Sequence, residues 1–367
     1  MVTLLQDDQH SFGVGETRRV CVSGSNRQMG EQLGEACRPS IAEALALVHG
    51  EMEKIGPITH FRARAQAYVS AIEKVAPYLV EEIRGLARGA AVPFEDALLL
   101  QLRFEAVGFD GRGGDGCSSF AIKRADGHVF TGQNVDTVEE HCRLGTVVEM
   151  RPDYGPDMLF YAYYPGMIGY LGINSEGLSV FGNALLSDGW RVGFPRYLSC
   201  RLALEQKTAA KAEETIRGLE RASTINLLFT DPSGDIRNLE QTVDEVETLT
   251  AEDGRLFHTN HYVCERFRGD ERLLDILPDS TVRRAQGAAR LEEIDVGEGD
   301  LFEQVKSVLK DHQNHPSSIC RHRAETSRYD ADQWMTVASL VADPAAGRVD
   351  VAFGPPCETD YQTFYLP

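Results

Sequence analysis

The sequence predicts an α+β protein in which helical layers enclose antiparallel sheets. Three observations carry this. Residues 25–110 follow a helical pattern. A glycine-rich segment at residues 108–116 interrupts it, and from Cys117 the period becomes that of strands. Strands, a helix pair, strands, helices and strands then follow in blocks, which fits layered helices and sheets better than a regular βαβ repeat. The 367 residues set a prior of two or so domains and suffice for a sizeable core.

The elements follow in order. Ser25 or Asn26 caps a helix from about Arg27, and Pro39 kinks it or opens a second that runs to about His49 before Gly50. Gly30 and Gly34 lie one turn apart, a spacing suited to close helix packing. Further helices are expected over residues 61–75, over 78–88 with Gly89 as C-cap, and over 95–105 after Pro93 and Phe94. Five glycines in residues 108–116 leave no core-forming content, so this stretch reads as a linker. Residues 117–123 and 128–134 flank Asp126-Gly127, a hairpin signal. Strands are expected at 146–151, 158–163, 168–174 and 178–183, then helices at 195–206 and 209–221. More strands follow at 224–230, 236–242, 245–249 and 256–260, helices at 281–293 and 301–312, and strands at 335–341 and 348–353.

Composition excludes several classes. Hydrophobic residues make up 42%, too many for a disordered chain. A formal charge of −19 argues against nucleic-acid binding and weighs slightly against a phosphorylated ligand such as coenzyme A. No apolar run is long enough to cross a bilayer, since residues 158–173 are broken by Pro165, Gly166 and Gly169. The eight cysteines are scattered without a CxxC pair, and the N-terminus has no basic-then-apolar leader, so a reducing cytoplasm with free thiols is expected. No GxGxxG follows a strand and there is no P-loop.

The unusual feature is Gly116-Cys117, a cysteine opening the first strand directly after the linker. The plain reading is a small buried residue at a strand start. The functional reading is a self-cleavage site. Glycine leaves the scissile carbonyl unobstructed, and a flexible linker can bend so that the thiol attacks it. Cleavage would expose an α-amine on Cys117, whose reference pKa of about 7.7–8.0 suits a base beside its own thiol.

Asp115-Gly116-Cys117-Ser118-Ser119, the hairpin, and Gly132-Gln133-Asn134-Val135-Asp136 together resemble the acyl-coenzyme A:6-aminopenicillanic acid acyltransferase family of N-terminal nucleophile (Ntn) hydrolases. The likeness extends to residues 29–34, 81–105, 258–261, 280–284, 311–322 and 326–328. It implies a four-layer αββα sandwich with a helical N-terminal segment. It also implies a precursor cut into an α segment, 1–116, and a β chain, 117–367, that carries the catalytic core. By the same resemblance Cys117 is the nucleophile and its amine the base, and Asn260 donates its amide to the oxyanion. Asp136 orients the new N-terminus, Asn134 supports that strand end, and Ser327 with Arg328 completes the polar network. Val135 departs from the family pattern, where an aromatic residue is common, and is expected to alter the substrate pocket. The aromatic segment 160–166 offers either pocket lining or core.

Two other chemistries are weighed. His258, His261, His312, His315 and His322 invite a metal, with Cys320 near the last of these, but nothing resembles HExxH and no metal is assigned. Cys320 and His322 share a strand face and could form a Cys–His pair, but nothing prepares an oxyanion site beside them. The expected function is therefore a self-processing amidohydrolase or acyltransferase acting on a small N-acyl or peptide-like amide through an acyl-Cys117 intermediate, with no cofactor. An acyl-coenzyme A-dependent N-acyltransferase and a non-processing, catalytically silent binding protein are the alternatives, the latter keeping Gly116–Cys117 intact. The α and β chains would stay packed together, and the sequence leaves open whether the protein is a homo-oligomer.

Overall fold

Two sheets between helical layers make up the fold in the computed structural model, which describes residues 18–108, 115–251, 253–297, 300–324 and 333–367. The N-terminal part holds strand β1 (Arg19–Gly24) and helices α1 (Asn26–Ala36), α2 (Arg38–Glu53), α3 (Ile58–Gln66), α4 (Val69–Val75), α5 (Pro77–Ala90) and α6 (Phe94–Val107). The hairpin β2 (Gly116–Lys123) and β3 (Val129–Thr137) follows, then β4 (Thr146–Pro152), β5 (Met158–Ala162), β6 (Leu171–Asn174) and β7 (Ser179–Ala184). Helices α7 (Arg196–Leu204) and α8 (Ala209–Arg217) precede β8 (Ile225–Thr230), β9 (Ile236–Gln241), β10 (Val246–Thr250) and β11 (Arg255–His258). The chain then forms α9 (Ser280–Glu292), α10 (Leu301–Leu309), β12 (Met335–Asp343), β13 (Arg348–Ala352) and β14 (Gln362–Tyr365).

One sheet runs β1-β4-β5-β6-β7-β8-β9-β10 and the other β11-β2-β3-β12-β13-β14. They face each other through β2 and β3 against β7. Helices α7 and α8 cover the outer face of the larger sheet, and α9 and α10 that of the smaller one, giving the four layers. The interface between sheets carries polar bonds as well as apolar contact. Ser119 Oγ donates to Asn183 Oδ1 at 2.8 Å, and the Gly182 N–H donates to Gln133 Oε1 at 2.9 Å. These buried bonds tie the two sheets face to face. The β2–β3 register sets Gly116 opposite Asp136 and Cys117 opposite Val135.

The glycine pair predicted to pack closely does so. A Cβ on Gly30 would lie 1.9 Å from the Glu82 carbonyl oxygen and one on Gly34 2.4 Å from that of Leu86, while one on the facing Gly85 would lie 2.1 Å from that of Arg27. Helices α1 and α5 therefore touch backbone to backbone. Gly89 belongs to the same seam, 2.0 Å from the Glu31 carbonyl by the same measure, and does not cap α5. Ala91, at φ 57°, takes the capping position. Four other expectations change. Gly50 lies within α2, where it faces open space. Residues 61–75 form two helices rather than one, and α10 stops at Leu309. Strand β1 pairs parallel to β4, so the N-terminal part is not purely helical.

Candidate active site

The end of β2 brings together the groups singled out in the sequence. The Cys117 backbone N–H donates to Asn260 Oδ1 at 2.8 Å. Asn260 follows β11, which pairs with β2 through His258 and Ser119, and its own N–H is held by Ser280 Oγ at 2.7 Å. Its side-chain amide donates to the Ala184 carbonyl at 3.1 Å and, weakly, to the Asp115 carbonyl at 3.4 Å. Arg283, fully buried on α9, closes the ring. It donates from Nη1 to the Cys117 carbonyl at 2.8 Å and to Ser118 Oγ at 3.0 Å, from Nη2 to Asn260 Oδ1 at 2.9 Å, and from Nε to Asp279 Oδ2 at 2.8 Å. A guanidinium bonded to a carboxamide oxygen polarises that amide, which makes its N–H groups stronger donors.

Asp136 is fully buried beside the Gly116–Cys117 peptide. Its Oδ1 accepts from Thr336 Oγ1 at 2.7 Å, while Oδ2 has no hydrogen-bond partner. A Cβ on Gly116 would stand 3.3 Å from that free oxygen. Side chains alternate along a strand, so Asp136 and the Cys117 side chain lie on opposite faces of the hairpin. The carboxyl thus borders the backbone at this point and not the sulfur. Burial pushes the Asp136 pKa up, opposed by Arg283 and Arg321. Burial also pushes up the Cys117 thiol, helped by the Asp115 and Asp136 carboxylates and opposed by Arg283 and a backbone bond from Ala184. In the intact chain the sulfur is therefore a protonated thiol.

A cavity of about 510 Å³ adjoins this cluster, lined among others by Met52, Arg103, Phe104, His141, Leu186 and Trp334. Cys117 faces a separate void of about 10 Å³, no larger than a water molecule. Asp115, Ala184 and Arg196 line both spaces, so Asp115 stands between the void at Cys117 and the cleft. Asp115 is anchored there. Its Oδ2 accepts from Arg103 at 3.3 Å, Tyr163 at 3.1 Å and Tyr197 at 3.4 Å. Arg103 stacks on Phe104 at 3.9 Å and Arg196 on the same ring at 4.0 Å, so two guanidiniums are desolvated at one end of the cleft. Asp115 and Glu51 face Arg103, and Glu105 and Asp115 face Arg196, as the opposing charges.

The structure brings Cys117, Gly116, Asp136 and Asn260 to one point. Asn134 lies two residues away on β3, where its Nδ2 donates to the Leu309 carbonyl at 2.8 Å and that of Ile319 at 3.0 Å. It ties the strand to the loop after α10. Ser327 and Arg328 lie outside the described residues. Val135 is fully buried and lines neither cavity, so the expected effect on the pocket is not direct. Of the aromatic segment, Phe160 and Tyr161 are core, while Tyr163 reaches Asp115. His258 is a buried partner of Glu240 at 2.8 Å, a structural pair. Sequence reasoning assigned no role to Arg283, Asp279, Arg103 or Arg196. The segment 280–284 was a visible landmark for the first, but nothing local tells which of its two arginines turns inward.

The acyl-coenzyme A:6-aminopenicillanic acid acyl-transferase family model matches residues 122–358, more than half of the chain. The 40 kDa form of acyl-coenzyme A:6-aminopenicillanic-acid-acyltransferase from Emericella nidulans is 27% identical over 360 residues, covering 95% of both chains. Among solved structures, penicillin V acylase from Agrobacterium tumefaciens aligns with 68% of this chain and 86% of its own, at 12% identity and a TM-score of 0.49. An N-acylethanolamine-hydrolyzing acid amidase ortholog from Caenorhabditis elegans aligns with 68% and 100%, at 18% identity and a TM-score of 0.45. The chain belongs to the acyl-coenzyme A:6-aminopenicillanic acid acyl-transferase family.

Proposed function

We propose that the protein is a self-processing Ntn enzyme that cleaves or transfers the acyl group of a small amide through an acyl-Cys117 intermediate. One observation carries the reading: the nitrogen of the Gly116–Cys117 peptide is held at 2.8 Å by Asn260, directly where Asp115 borders both the cleft and the void at the sulfur. In processing, the Cys117 sulfur attacks the Gly116 carbonyl carbon and the Gly116–Cys117 C–N bond breaks. The thiol proton passes to the departing nitrogen. Water then opens the thioester, leaving a Gly116 carboxylate and a free Cys117 thiol and amine. The α segment ends at Gly116 and the β chain begins at Cys117.

Release of Asp115 and Gly116 has three consequences. The Cys117 sulfur gains access to the cleft. The Asn260 amide loses the Asp115 carbonyl and is free to donate to an oxyanion, an interaction worth roughly 3–4 kcal/mol in related chemistry. Arg103 and the two tyrosines lose the Asp115 carboxylate and are left to receive an anionic group on the substrate. The new amine keeps its bond to Asn260 Oδ1, with the Asp136 carboxyl behind it and Arg283 nearby. The cation disfavours protonation of the amine, so the amine serves as the base. Ser327 and Arg328 belong to the proposal on the resemblance alone. The cationic end of the cleft suits an N-acyl amide that carries a carboxylate, released to water or passed to an acceptor amine.

Intact-mass measurement and N-terminal sequencing of freshly folded protein test this. Two fragments whose masses sum to the precursor plus one water, the larger starting at Cys117, are expected. A single uncut chain that nonetheless turns over an amide would refute the mechanism, and an uncut, inactive one would favour a binding role.

A further inference from the structure

A second cluster lies away from the cleft, on the outer side of the smaller sheet. The chain after α10 forms a loop closed by the Cys320 N–H donating to the Asp311 carbonyl at 2.9 Å. This loop carries His312, Cys320 and His322. The turn after β13 brings Cys357 to the same point. One ligand atom from each of the four lies within 4.8 Å of all the others. We propose that His312, Cys320, His322 and Cys357 form a structural metal site, zinc by donor chemistry, that pins the loop after α10 to the C-terminal segment.

The distances carry the argument. Zinc bonds of about 2.3 Å to sulfur and about 2.0–2.1 Å to nitrogen, arranged as a tetrahedron, put sulfurs about 3.8 Å apart, nitrogens about 3.3 Å apart, and a sulfur about 3.5 Å from a nitrogen. The sulfurs of Cys320 and Cys357 are 3.6 Å apart. The Nε2 atoms of His312 and His322 are 3.1 Å apart. His322 Nε2 stands 3.8 Å from the Cys320 sulfur and 3.2 Å from that of Cys357. Four edges of the tetrahedron are therefore present within a few tenths of an ångström. Two imidazole nitrogens facing each other at 3.1 Å make at most one hydrogen bond between them, whereas both lone pairs can bind one cation.

The donor set and its surroundings fix the class of metal. Two thiolates and two imidazoles select zinc over the hard cations magnesium and calcium. Four protein ligands close the coordination sphere, so the site is structural. Glu358 Oε1 lies 3.7 Å from His322 Nδ1, on the ring nitrogen facing away from the cluster, where a carboxylate orients a metal-bound imidazole. Cys320 is buried while His312 and Cys357 are exposed, which leaves an entry path from solvent. The spacing explains why sequence alone did not reveal it: three ligands lie in residues 312–322, but the fourth comes from another segment after β13.

The site also bears on the active-site cluster. Arg321, between two ligands, is paired with Asp279, which holds Arg283. The Ile319 carbonyl accepts from Asn134. A metal that stiffens this loop steadies two supports of the β2 strand end.

The test is metal analysis of the untagged full chain purified without chelator. About one zinc per chain is expected. Replacement by Co²⁺ should give the intense visible bands of a tetrahedral ion and a thiolate charge-transfer band in the near ultraviolet. Cys357→Ser, at an exposed position, should lose charge-transfer intensity and bind Co²⁺ at least about tenfold more weakly. Cys264→Ser should change neither. Three results would overturn the proposal: wild-type protein that takes up neither metal, Co²⁺ spectra unchanged by Cys357→Ser, or a mass two hydrogens lighter with Cys320 joined to Cys357 in the freshly purified chain.

Discussion

Cys117 and Cys320 carry the same atom in opposite surroundings. Cys320 has two histidines and a second thiol around it, the residue types that usually suggest chemistry. Among the described residues no histidine bonds Cys117: a carboxamide holds its nitrogen, a guanidinium its carbonyl and the Ala184 backbone its sulfur, with a glycine before it. The histidine-rich cluster has the edges of a metal tetrahedron and, among its described contacts, no pair of donors placed for an oxyanion. The histidine-free one has a donor amide, a cavity next door and a peptide bond held in place. On the proposed reading the difference teaches that reactivity follows from what holds the backbone, while clustered soft ligands mark a fixed point.

The largest expected effect separates the two directly. Cys117→Ala should abolish processing and turnover together, while Cys357→Ser should leave processing intact and lower the melting temperature; amide turnover and calorimetry on both variants check this. If Cys357→Ser abolishes turnover and Cys117→Ala does not, the roles are reversed. Arg283→Met comes next. It leaves Asp279 buried without its α9 partner and should cost about 3–5 kcal/mol in denaturant unfolding. A loss below 1 kcal/mol would mean that Arg321 alone satisfies Asp279. Asn260→Ala, assayed on chain that has been processed, should lower kcat by roughly 10²–10³ with little change in KM. An equal rise in KM would instead make Asn260 a binding group.

The smallest effect concerns pH. Burial lowers His141 and His261 from the ordinary 6.5 to about 4, helped by Arg103 in the first case and by His258 in the second. Both are neutral in the folded chain where the unfolded chain would bind protons. Their contribution to stability is therefore full above about 6.5 and is lost as pH falls through 4. Thermal unfolding followed from pH 7 to 4 should show this decline, with a shallower slope in His141→Phe. An unchanged slope would show that His141 does not titrate in that window.

Much of the fold is legible in the sequence because local signals set it. Asp126-Gly127 fixes the hairpin that carries Cys117, and prolines open α2, α5 and α6. What escaped is set by distant partners. Strand β1 is six residues long and finds its register only against β4, more than a hundred residues on. Gly89 has the look of a helix cap, yet its constraint is the backbone of α1. In the site, the grouping of Cys117 and Asp136 is legible through a motif, because Gly116 and Cys117 stand in adjacent positions at the start of a hairpin that returns Asp136 beside them. Arg283, Arg103 and Cys357 were not, because an arginine or cysteine carries no mark of which distant group it will meet.

A reagent specific for 1,2-aminothiols tests the central claim most directly, since it reacts only with a cysteine whose own amine is free. Applied to active, folded protein and followed by peptide mapping, it should modify Cys117 alone and abolish turnover in proportion to labelling. An active preparation in which Cys117 stays unlabelled and the Gly116–Cys117 peptide is recovered intact would contradict the account.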